Sequence, residues 1–115
     1  MFPEVCGRVC PQDRLCEGNC VVEQAGFGAI TIGNLEKYLT ELAWEKGWVK
    51  NIEVNSSSKK KVAIIGSGPA GMAASSYLIQ NGYQVDVFEK NDRVGGLMIY
   101  GIPNFKLDKS IVERR

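Results

Sequence analysis

The strongest constraint on the fold is a glycine-rich turn between an apolar run and a run with helical character. The turn reads GSGPAG, residues 66–71, and follows four apolar residues at 62–65. A short apolar run that ends in glycine is typical of a parallel strand buried on both faces. The next residues, PAGMAASSYLIQNG, predict a helix that ends at Asn81 and Gly82. The run YQVDVFEK then predicts a second parallel strand, which completes one βαβ unit.

The pattern G-x-G-x-x-G between a strand and a helix predicts a dinucleotide-binding site. Gly66 permits the tight turn, Gly68 lets the backbone approach a pyrophosphate, and Gly71 lets the helix pack closely on the strand. The helix N-terminus offers unpaired N–H groups to the phosphates. Glu89 ends the second strand, where it can accept hydrogen bonds from a ribose and its charge disfavours a 2′-phosphate, which leaves FAD or NAD. The alternative is a glycine-rich turn that binds no phosphate.

All the cysteines of the chain lie within fifteen residues, in the spacing C-x3-C-x5-C-x3-C, as Cys6, Cys10, Cys16 and Cys20. Four interpretations are open: a disulfide framework, a zinc site, unreactive buried thiols and iron–sulfur ligation. Disulfides need an oxidising compartment, and residues 1–20 lack the apolar segment of a secretory signal. Zinc sites usually use a two-residue spacing. Iron–sulfur ligation is favoured because clusters take several neighbouring thiolates, although the spacing differs from that of ferredoxins.

The chain divides near Asn55, in a stretch of Asn, Ser and Lys that is typical of a linker. We expect residues 1–55 to form a Cys-rich, helical iron–sulfur region. We expect residues 56–115 to form the first part of an α/β, Rossmann-like FAD-binding domain. The first region contains one clear helical pattern, from about Asn34 to Lys46, because apolar residues recur there at helical spacing: Leu35, Leu39 and Leu42.

Composition excludes several classes of function. Lys and Arg total 14 against 13 acidic residues, and this near-neutral balance gives no electrostatic reason to expect nucleic acid or an anionic membrane as a partner. No apolar stretch approaches the ~20 residues of a membrane span. Histidine is absent, and no residue stands out as an acid–base catalyst. We therefore expect a cytoplasmic protein whose chemistry comes from cofactors.

Three segments together resemble the small (beta) subunit family of NADPH-dependent glutamate synthase: PEVCGRVCPQDRLCEGNCV, VAIIGSGPAGMAAS and RVGGLMIYGIPNFKL. The resemblance covers essentially the whole chain and extends to the flavin and iron–sulfur segments of dihydropyrimidine dehydrogenase. It implies two [4Fe-4S] clusters in the helical region, FAD in the first Rossmann-like domain and NADPH in a second domain. Electrons would pass from NADPH through FAD and the clusters to a large partner subunit, which makes glutamate from glutamine and 2-oxoglutarate.

The resemblance also assigns residues to each cofactor. Cys10, Cys16 and Cys20 match cluster ligands, whereas Cys6 matches a cysteine outside the ligand set. Glu36 stands where a polar side chain completes one cluster in the pyrimidine enzyme, and the alternative is an exposed acid in the first turn of its helix. For Arg93 the alternative is a surface charge. The residues matched to the FAD site are Gly66, Gly68, Pro69, Ala70, Gly71, Glu89, Arg93, Gly96 and Leu97.

Further cysteine ligands, the rest of the FAD domain and the NADPH domain are not found in these 115 residues. The resemblance therefore implies part of a longer subunit that is inactive alone and whose sheet edges could pair between chains. Two other functions stay open. One is a metal-binding adaptor module without redox turnover, and the other is a related flavoprotein subunit that serves a pyrimidine reductase, a hydrogenase or a ferredoxin.

Overall fold

The computed structural model describes residues 2–53 and 60–115. The chain divides into two compact units, Met1–Val49 and Lys50–Arg115. The expected boundary at Asn55 and the serines at 56–58 lie outside the described residues. Within the described ranges, no helix has the length and apolar character that a membrane span requires.

The first unit is built from short helical segments, as expected for a Cys-rich stretch that proline and glycine interrupt. Proline occupies the first position of α1, where its fixed φ suits a helix start and no N–H is needed. The longest helix follows the cysteines. The segments are α1 Pro3–Val9, a 3₁₀ turn Gln12–Arg14, α2 Val21–Gln24 and α3 Ile32–Glu45.

Helix α3 begins two residues earlier than expected, and its buried face is not the leucine stripe that predicts it. Leu35 and Leu39 are 50% and 60% exposed, whereas Gly33 and Thr40 are buried. The reason is the neighbouring helix: a Cβ placed on Gly7 of α1 would lie 2.9 Å from the carbonyl oxygen of Gly33. Close backbone approach, rather than leucine packing, therefore selects the buried face of α3.

An arginine also joins α1 to α3. Arg8 Nη2 lies 2.7 Å from Glu41 Oε1, and the Arg8 side chain is only 13% exposed. Arg8 Nη1 donates to the backbone carbonyl of Glu4, at 2.9 Å. The guanidinium thus makes one contact within α1 and one with α3.

The second unit contains the predicted βαβ arrangement. Strands β1, Lys61–Ile65, and β2, Gln84–Phe88, are parallel and in a register that pairs Lys61 with Gln84 and Ile65 with Phe88. Helix α4, Pro69–Gln80, connects them. Asn81 is the C-cap that directly follows the last helical residue, and Gly82 adopts a positive φ of 83°, so the predicted helix end is confirmed.

The expectation that β1 is buried on both faces is wrong for the described residues. Exposed and half-buried residues alternate along the strand, and Ile65 is 84% exposed. Within the described ranges the sheet has two strands, and α4 is the helix that packs on it. One layer of helix covers only one face, so alternate side chains stay exposed. Pairing of chains through the strand edges stays a prediction.

The buried apolar core of the second unit lies after β2, in a segment for which the sequence predicts no helix. Two helices form there: α5, Leu97–Tyr100, and α6, Lys109–Glu113. The Asp108 carboxylate caps α6 by accepting from Ser110 N–H, at 2.9 Å. Helices of four and five residues are too short to show a hydrophobic period, which is why the pattern did not predict them. The core residues are Met98, Ile99, Leu107 and Val112.

Candidate cofactor sites

The turn between β1 and α4 needs glycine at its first and last motif positions. Gly66 has a φ of 94°, a region that favours glycine, and its N–H donates to the Phe88 carbonyl at 2.8 Å. A Cβ on Gly71 would lie 2.0 Å from the Gly66 carbonyl oxygen. The turn and the first turn of α4 therefore pack so closely that a side chain at residue 71 is excluded.

Gly68 faces a cavity instead of the protein. It has an extended backbone and immediately precedes α4, and a Cβ built there would meet no atom within 4 Å. The cavity measures about 520 Å³ and lies at the carboxyl ends of β1 and β2, where ligands of open parallel sheets bind. Its lining comprises Ile65, Gly66, Gly68, Phe88, Glu89, Lys90, Asn91 and Gly96.

A second glycine pair closes the cavity from the side that follows β2. Gly95 and Gly96 have φ values of 118° and 54°. A Cβ on Gly96 would lie 2.8 Å from Gly68 Cα, and a Cβ on Gly95 would lie 2.8 Å from Ile99 Cγ1. The pair is therefore packed between the first glycine turn and the apolar core, and neither position has room for a side chain.

The Glu89 carboxylate accepts hydrogen bonds from the first glycine turn and from the loop after β2. Oε2 accepts from Ser67 N–H at 2.9 Å and from Ser67 Oγ at 2.5 Å. Oε1 accepts from Asn91 N–H at 2.9 Å and from Asn91 Nδ2 at 2.8 Å. Donation from the Ser67 hydroxyl, then from the N–H groups of Asn91 and Ser67, lowers the pKa of Glu89 to about 2. Glu89 is therefore ionised at neutral pH.

The structure separates the residues assigned to the FAD site into two groups. Gly66, Gly68, Glu89 and Gly96 line the cavity, and Gly71 packs against the backbone of Gly66 without lining it. The other four do not line it: Pro69 and Ala70 are exposed in the first turn of α4, Leu97 is 73% exposed at the start of α5, and Arg93 lies 3.7 Å from Glu113 with both side chains more than half exposed.

Four residues of the lining were not predicted: Ile65, Phe88, Lys90 and Asn91. Their positions carry a signal that could have found them, because Ile65 and Phe88 end the two parallel strands and Lys90 and Asn91 lie within three residues of the end of β2. Side chains at the carboxyl ends of neighbouring parallel strands meet at one edge of the sheet. The binding role of every residue at this cavity stays a prediction.

A tyrosine orders the loop between Glu89 and the second glycine pair. The Tyr100 hydroxyl donates to the Asp92 carboxylate and accepts from Arg93 N–H, at 3.0 Å. The hydrogen bond to Tyr100 lowers the pKa of Asp92, and the same bond raises the pKa of Tyr100. The backbone of Arg93 is thus fixed, while its guanidinium points to an exposed ion pair.

The cysteines occupy the short elements of the first unit. Cys6 lies in α1, and Cys10 follows one helical turn later with its N–H donating to the Cys6 carbonyl, at 3.1 Å. Cys16 lies in a turn, and Cys20 directly precedes α2. All four are free thiols. Across residues 2–53 and 60–115, no three Cys, Asp or Glu side chains are grouped closely enough to hold a metal ion.

Cys20 has the environment that best suits a thiolate. Backbone hydrogen bonds from Ile30, Glu23 and Val22 lower the pKa of the Cys20 thiol, against the opposing effects of burial and of the Glu23 charge. The thiolate is the form that binds iron. The chemistry of the four thiols fits an iron–sulfur site, because all four are free and the Cys20 thiolate is stabilised. In the described residues, however, the four sulfur atoms do not lie close together.

Glu36 is placed differently from the expectation. Because α3 begins at Ile32, Glu36 is beyond the first turn and half-buried, so the interpretation as an exposed first-turn acid is wrong. Its Cβ lies 3.2 Å from a Cβ built on Gly7, next to the helix that carries Cys6. Ligation of iron by Glu36 stays a prediction.

The start of α3 also anchors the cysteine segment. Gly33 N–H donates to Glu17 Oε1 at 3.2 Å, and Gln12 Nε2 donates to the Cys6 carbonyl at 3.3 Å. A Cβ on Gly33 would lie 2.3 Å from the carboxamide of Gln12. A side chain at residue 33 would therefore displace the Gln12 carboxamide, which lies against the start of α3.

Comparisons with protein families define the class of each region. Residues 1–48 match the family model described as dihydropyrimidine dehydrogenase domain II, 4Fe-4S cluster. Residues 64–109 match the model described as NAD(P)-binding Rossmann-like domain. The chain therefore joins an iron–sulfur-type region to a Rossmann-like region, in the order that the sequence predicts.

Individual relatives make the resemblance more specific. The chain is 58% identical to the small chain of glutamate synthase [NADPH] from Azospirillum brasilense, over 99% of this chain and 24% of the relative. It is 52% identical to the corresponding Escherichia coli K12 protein, with the same two shares. It is 46% identical to glutamate synthase [NADH] of Schizosaccharomyces pombe, over 99% of this chain and 5% of that protein. The resemblance to the glutamate synthase small-chain family is thus confirmed, and the chain spans about a quarter of the length of those small chains.

Proposed function

We propose that this chain supplies the iron–sulfur region and the first part of the FAD site of an oxidoreductase subunit of the glutamate synthase type. The observation that carries the proposal is the cavity at the carboxyl ends of β1 and β2. Gly68 leaves open space along it, and the ionised Glu89 lies at its wall. A dinucleotide needs both features: close backbone approach at its pyrophosphate and an acceptor near its ribose.

The roles of the cavity residues follow from their chemistry. The N–H groups at the start of α4 would donate to a bound pyrophosphate, which the helix dipole would stabilise. The charge of Glu89 disfavours a 2′-phosphate, so FAD is favoured over NADP here, and the second glycine pair supports FAD by the family resemblance. When bound, FAD supplies the hydride and single-electron chemistry that this chain's side chains lack. NADPH would bind in sequence beyond these residues.

For the first unit, we propose that Cys10, Cys16 and Cys20 ligate iron, with Glu36 as a further candidate ligand. Support comes from the match to a 4Fe-4S family model and from the thiolate-favouring environment of Cys20. Clusters of this kind pass single electrons, and the acceptor we propose is a large glutamate synthase-type subunit. Thiolates must stay reduced to bind iron, which favours the cytoplasm as the compartment.

The dinucleotide proposal is tested with Gly68→Val in the full-length product of the gene. The Cβ of the valine would meet no protein atom within 4 Å, and its methyl groups would occupy the open space where a pyrophosphate would approach. We expect FAD affinity to fall at least tenfold, about 1.4 kcal/mol, with an unchanged circular dichroism spectrum. Gly68→Ala is the matched control, with an intermediate loss. Undiminished flavin absorbance in Gly68→Val would refute the assignment.

The iron proposal is tested by metal and sulfide analysis of single variants of the same product. We expect Cys20→Ser to lose the iron of one cluster, about four atoms, and Cys6→Ser to lose less, because Cys6 matches no ligand. Electron paramagnetic resonance at low temperature would follow the remaining cluster. Zinc without acid-labile sulfide would instead support the adaptor module, and loss of a cluster in Cys6→Ser alone would overturn the ligand set.

The 115-residue chain by itself is proposed to be inactive. The small chains that it resembles are about four times as long, and by the family resemblance the NADPH domain and further cluster ligands would lie in the remaining sequence. We expect less than one FAD per chain after reconstitution, and no reduction of bound flavin by NADPH. Full flavin occupancy of the 115-residue chain would contradict this.

A further inference from the structure

Ser67 is the polar residue most buried at the dinucleotide cavity, although it occupies a variable position of the glycine motif. The residue is 2% exposed. A buried hydroxyl is costly unless it is hydrogen-bonded, so its partners indicate why a serine is present. The motif itself needs only a small residue at this position, because the three glycines carry the turn.

The Ser67 hydroxyl uses both of its hydrogen-bonding capacities across long distances in sequence. It donates to Glu89 Oε2 at 2.5 Å, and it accepts from Gly95 N–H at 3.2 Å. The same Gly95 N–H also lies 3.1 Å from the Ser67 carbonyl oxygen. One side chain thus joins the first glycine turn, the acid after β2 and the second glycine pair.

The carboxylate of Glu89 is saturated by protein donors. A carboxylate offers about four acceptor positions, and two donors from Ser67 and two from Asn91 fill them. The Asn91 bonds are exposed, whereas those from Ser67 are partly buried. A ribose hydroxyl can therefore replace the exposed Asn91 side-chain donor at least cost, while the Ser67 side of the carboxylate stays fixed.

The position of the second glycine pair sets the shape of the cavity wall. Gly96 approaches Gly68 so closely that a Cβ on it would lie 2.8 Å from Gly68 Cα. Gly95, its neighbour, is the residue that Ser67 holds. A shift of Gly95 would therefore move the wall opposite the site where the pyrophosphate approaches.

We propose that Ser67 is a positioning residue of the dinucleotide site: its hydroxyl holds Glu89 and the Gly95–Gly96 turn in the arrangement that binds FAD. This inference rests on the proposed dinucleotide function and deepens it. Ser67 acts through Glu89 and Gly95, so its effect depends on those partners and not on contact with the cofactor.

The test is a double-mutant cycle for FAD binding in the full-length gene product, with apoprotein titrated by FAD. We expect Ser67→Ala to weaken binding about tenfold, the scale of a hydrogen bond to a charged group. In the Glu89→Gln background the same change should cost about threefold or less, because the bond it removes is already weakened. Ser76→Ala is the matched control, since its hydroxyl accepts from Gln80 Nε2 at 3.4 Å and Ser76 does not line the cavity, and it should leave FAD affinity unchanged.

Two further measurements keep the outcome decisive. Ser67→Cys keeps the side-chain bulk but is a weak donor, so it should also weaken FAD binding if Ser67→Ala fails to fold. Amide hydrogen exchange of Gly95, measured by NMR in the 115-residue chain, should be faster in either variant. Equal losses in both Glu89 backgrounds, or no loss, would overturn the positioning role. If Gly68→Val also leaves FAD binding intact, the proposed function itself fails, whereas a Gly68→Val loss without a Ser67 effect refutes only this inference.

Discussion

The candidate site of the second unit is shaped mainly by backbone atoms, whereas the candidate site of the first unit consists of side chains. In the second unit the cavity is shaped by backbone at Gly66, Gly68 and Gly96, together with one carboxylate that protein donors fully satisfy and residues that end or follow β1 and β2. In the first unit the candidate ligands are side chains, on short elements, with three thiols exposed. A backbone-built site takes its shape from packing of the fold, whereas a thiolate site takes its final shape from the metal as well.

This difference predicts which substitutions change the stability of the fold and which change only the binding of a cofactor or metal. Glycine positions of the second unit should report on folding and cavity shape before any cofactor binds. Cysteine positions of the first unit should matter little for packing and a great deal for chemistry. The following predictions are arranged from the largest expected effect to the smallest.

Gly71→Val should have the largest effect, and it should be confined to the second unit. Its side chain would begin 2.0 Å from the Gly66 carbonyl, so we expect a loss of about 3 kcal/mol in the free energy of unfolding. Denaturation of the second unit, followed by the NMR signals of β1 and β2, would measure this loss of stability. The emission of Trp44 and Trp48, both in the first unit, should stay unchanged. Equal stability of Gly71→Val and Gly68→Ala would contradict the close-packing account.

Cys20 should react fastest among the four cysteines of the metal-free chain. Its lowered pKa increases the thiolate fraction at neutral pH, and the thiolate is the nucleophile, although Cys20 is less exposed than the other three. We expect a rate a few-fold higher with iodoacetamide, measured by peptide mass spectrometry. Rates that simply follow exposure, with Cys20 slowest, would show that its hydrogen bonds do not activate the thiol.

Glu89 should titrate far below its ordinary value of 4.5. With a pKa of about 2 in the folded state, its contribution to stability is complete above pH 4.5 and is lost as the pH falls toward 2. The ¹³C signal of the carboxyl group in the 115-residue chain would give the midpoint directly. Glu89→Gln should remove this part of the acid sensitivity of the second unit only. A midpoint near 4.5 would show that Ser67 and Asn91 do not hold the carboxylate.

Breaking either of the two arginine ion pairs should have the smallest effect on the free energy of unfolding. The loss should be larger for Arg8 in the first unit than for Arg93 in the second. Arg8→Met breaks a 2.7 Å contact of a mostly buried guanidinium, for which we expect a loss of about 1 kcal/mol. Arg93→Met breaks a 3.7 Å contact between two exposed side chains, for which we expect less than about 0.5 kcal/mol. Urea denaturation of both variants would measure the difference. A larger loss for Arg93→Met would point to a role beyond its ion pair with Glu113.

The sequence alone determined the elements with a clear local pattern. Apolar runs and a glycine motif predicted β1, α4, β2 and their order, and the helical spacing of leucines predicted α3 to within two residues at its start. The motif also predicted Gly66, Gly68 and Glu89 at one place, because a βαβ unit brings the carboxyl ends of its strands together. The resemblance to a protein family likewise depended only on the residues themselves.

Only the tertiary structure decided how those elements pack against one another. The buried face of α3 follows from the approach of Gly7 to Gly33, and the core of the second unit follows from α5 and α6, which are too short to show a period. The bond from Ser67 to Gly95 spans 28 residues. Contacts of that range depend on where the folded chain brings its segments together, whereas a pattern in sequence records only the preferences of neighbouring residues.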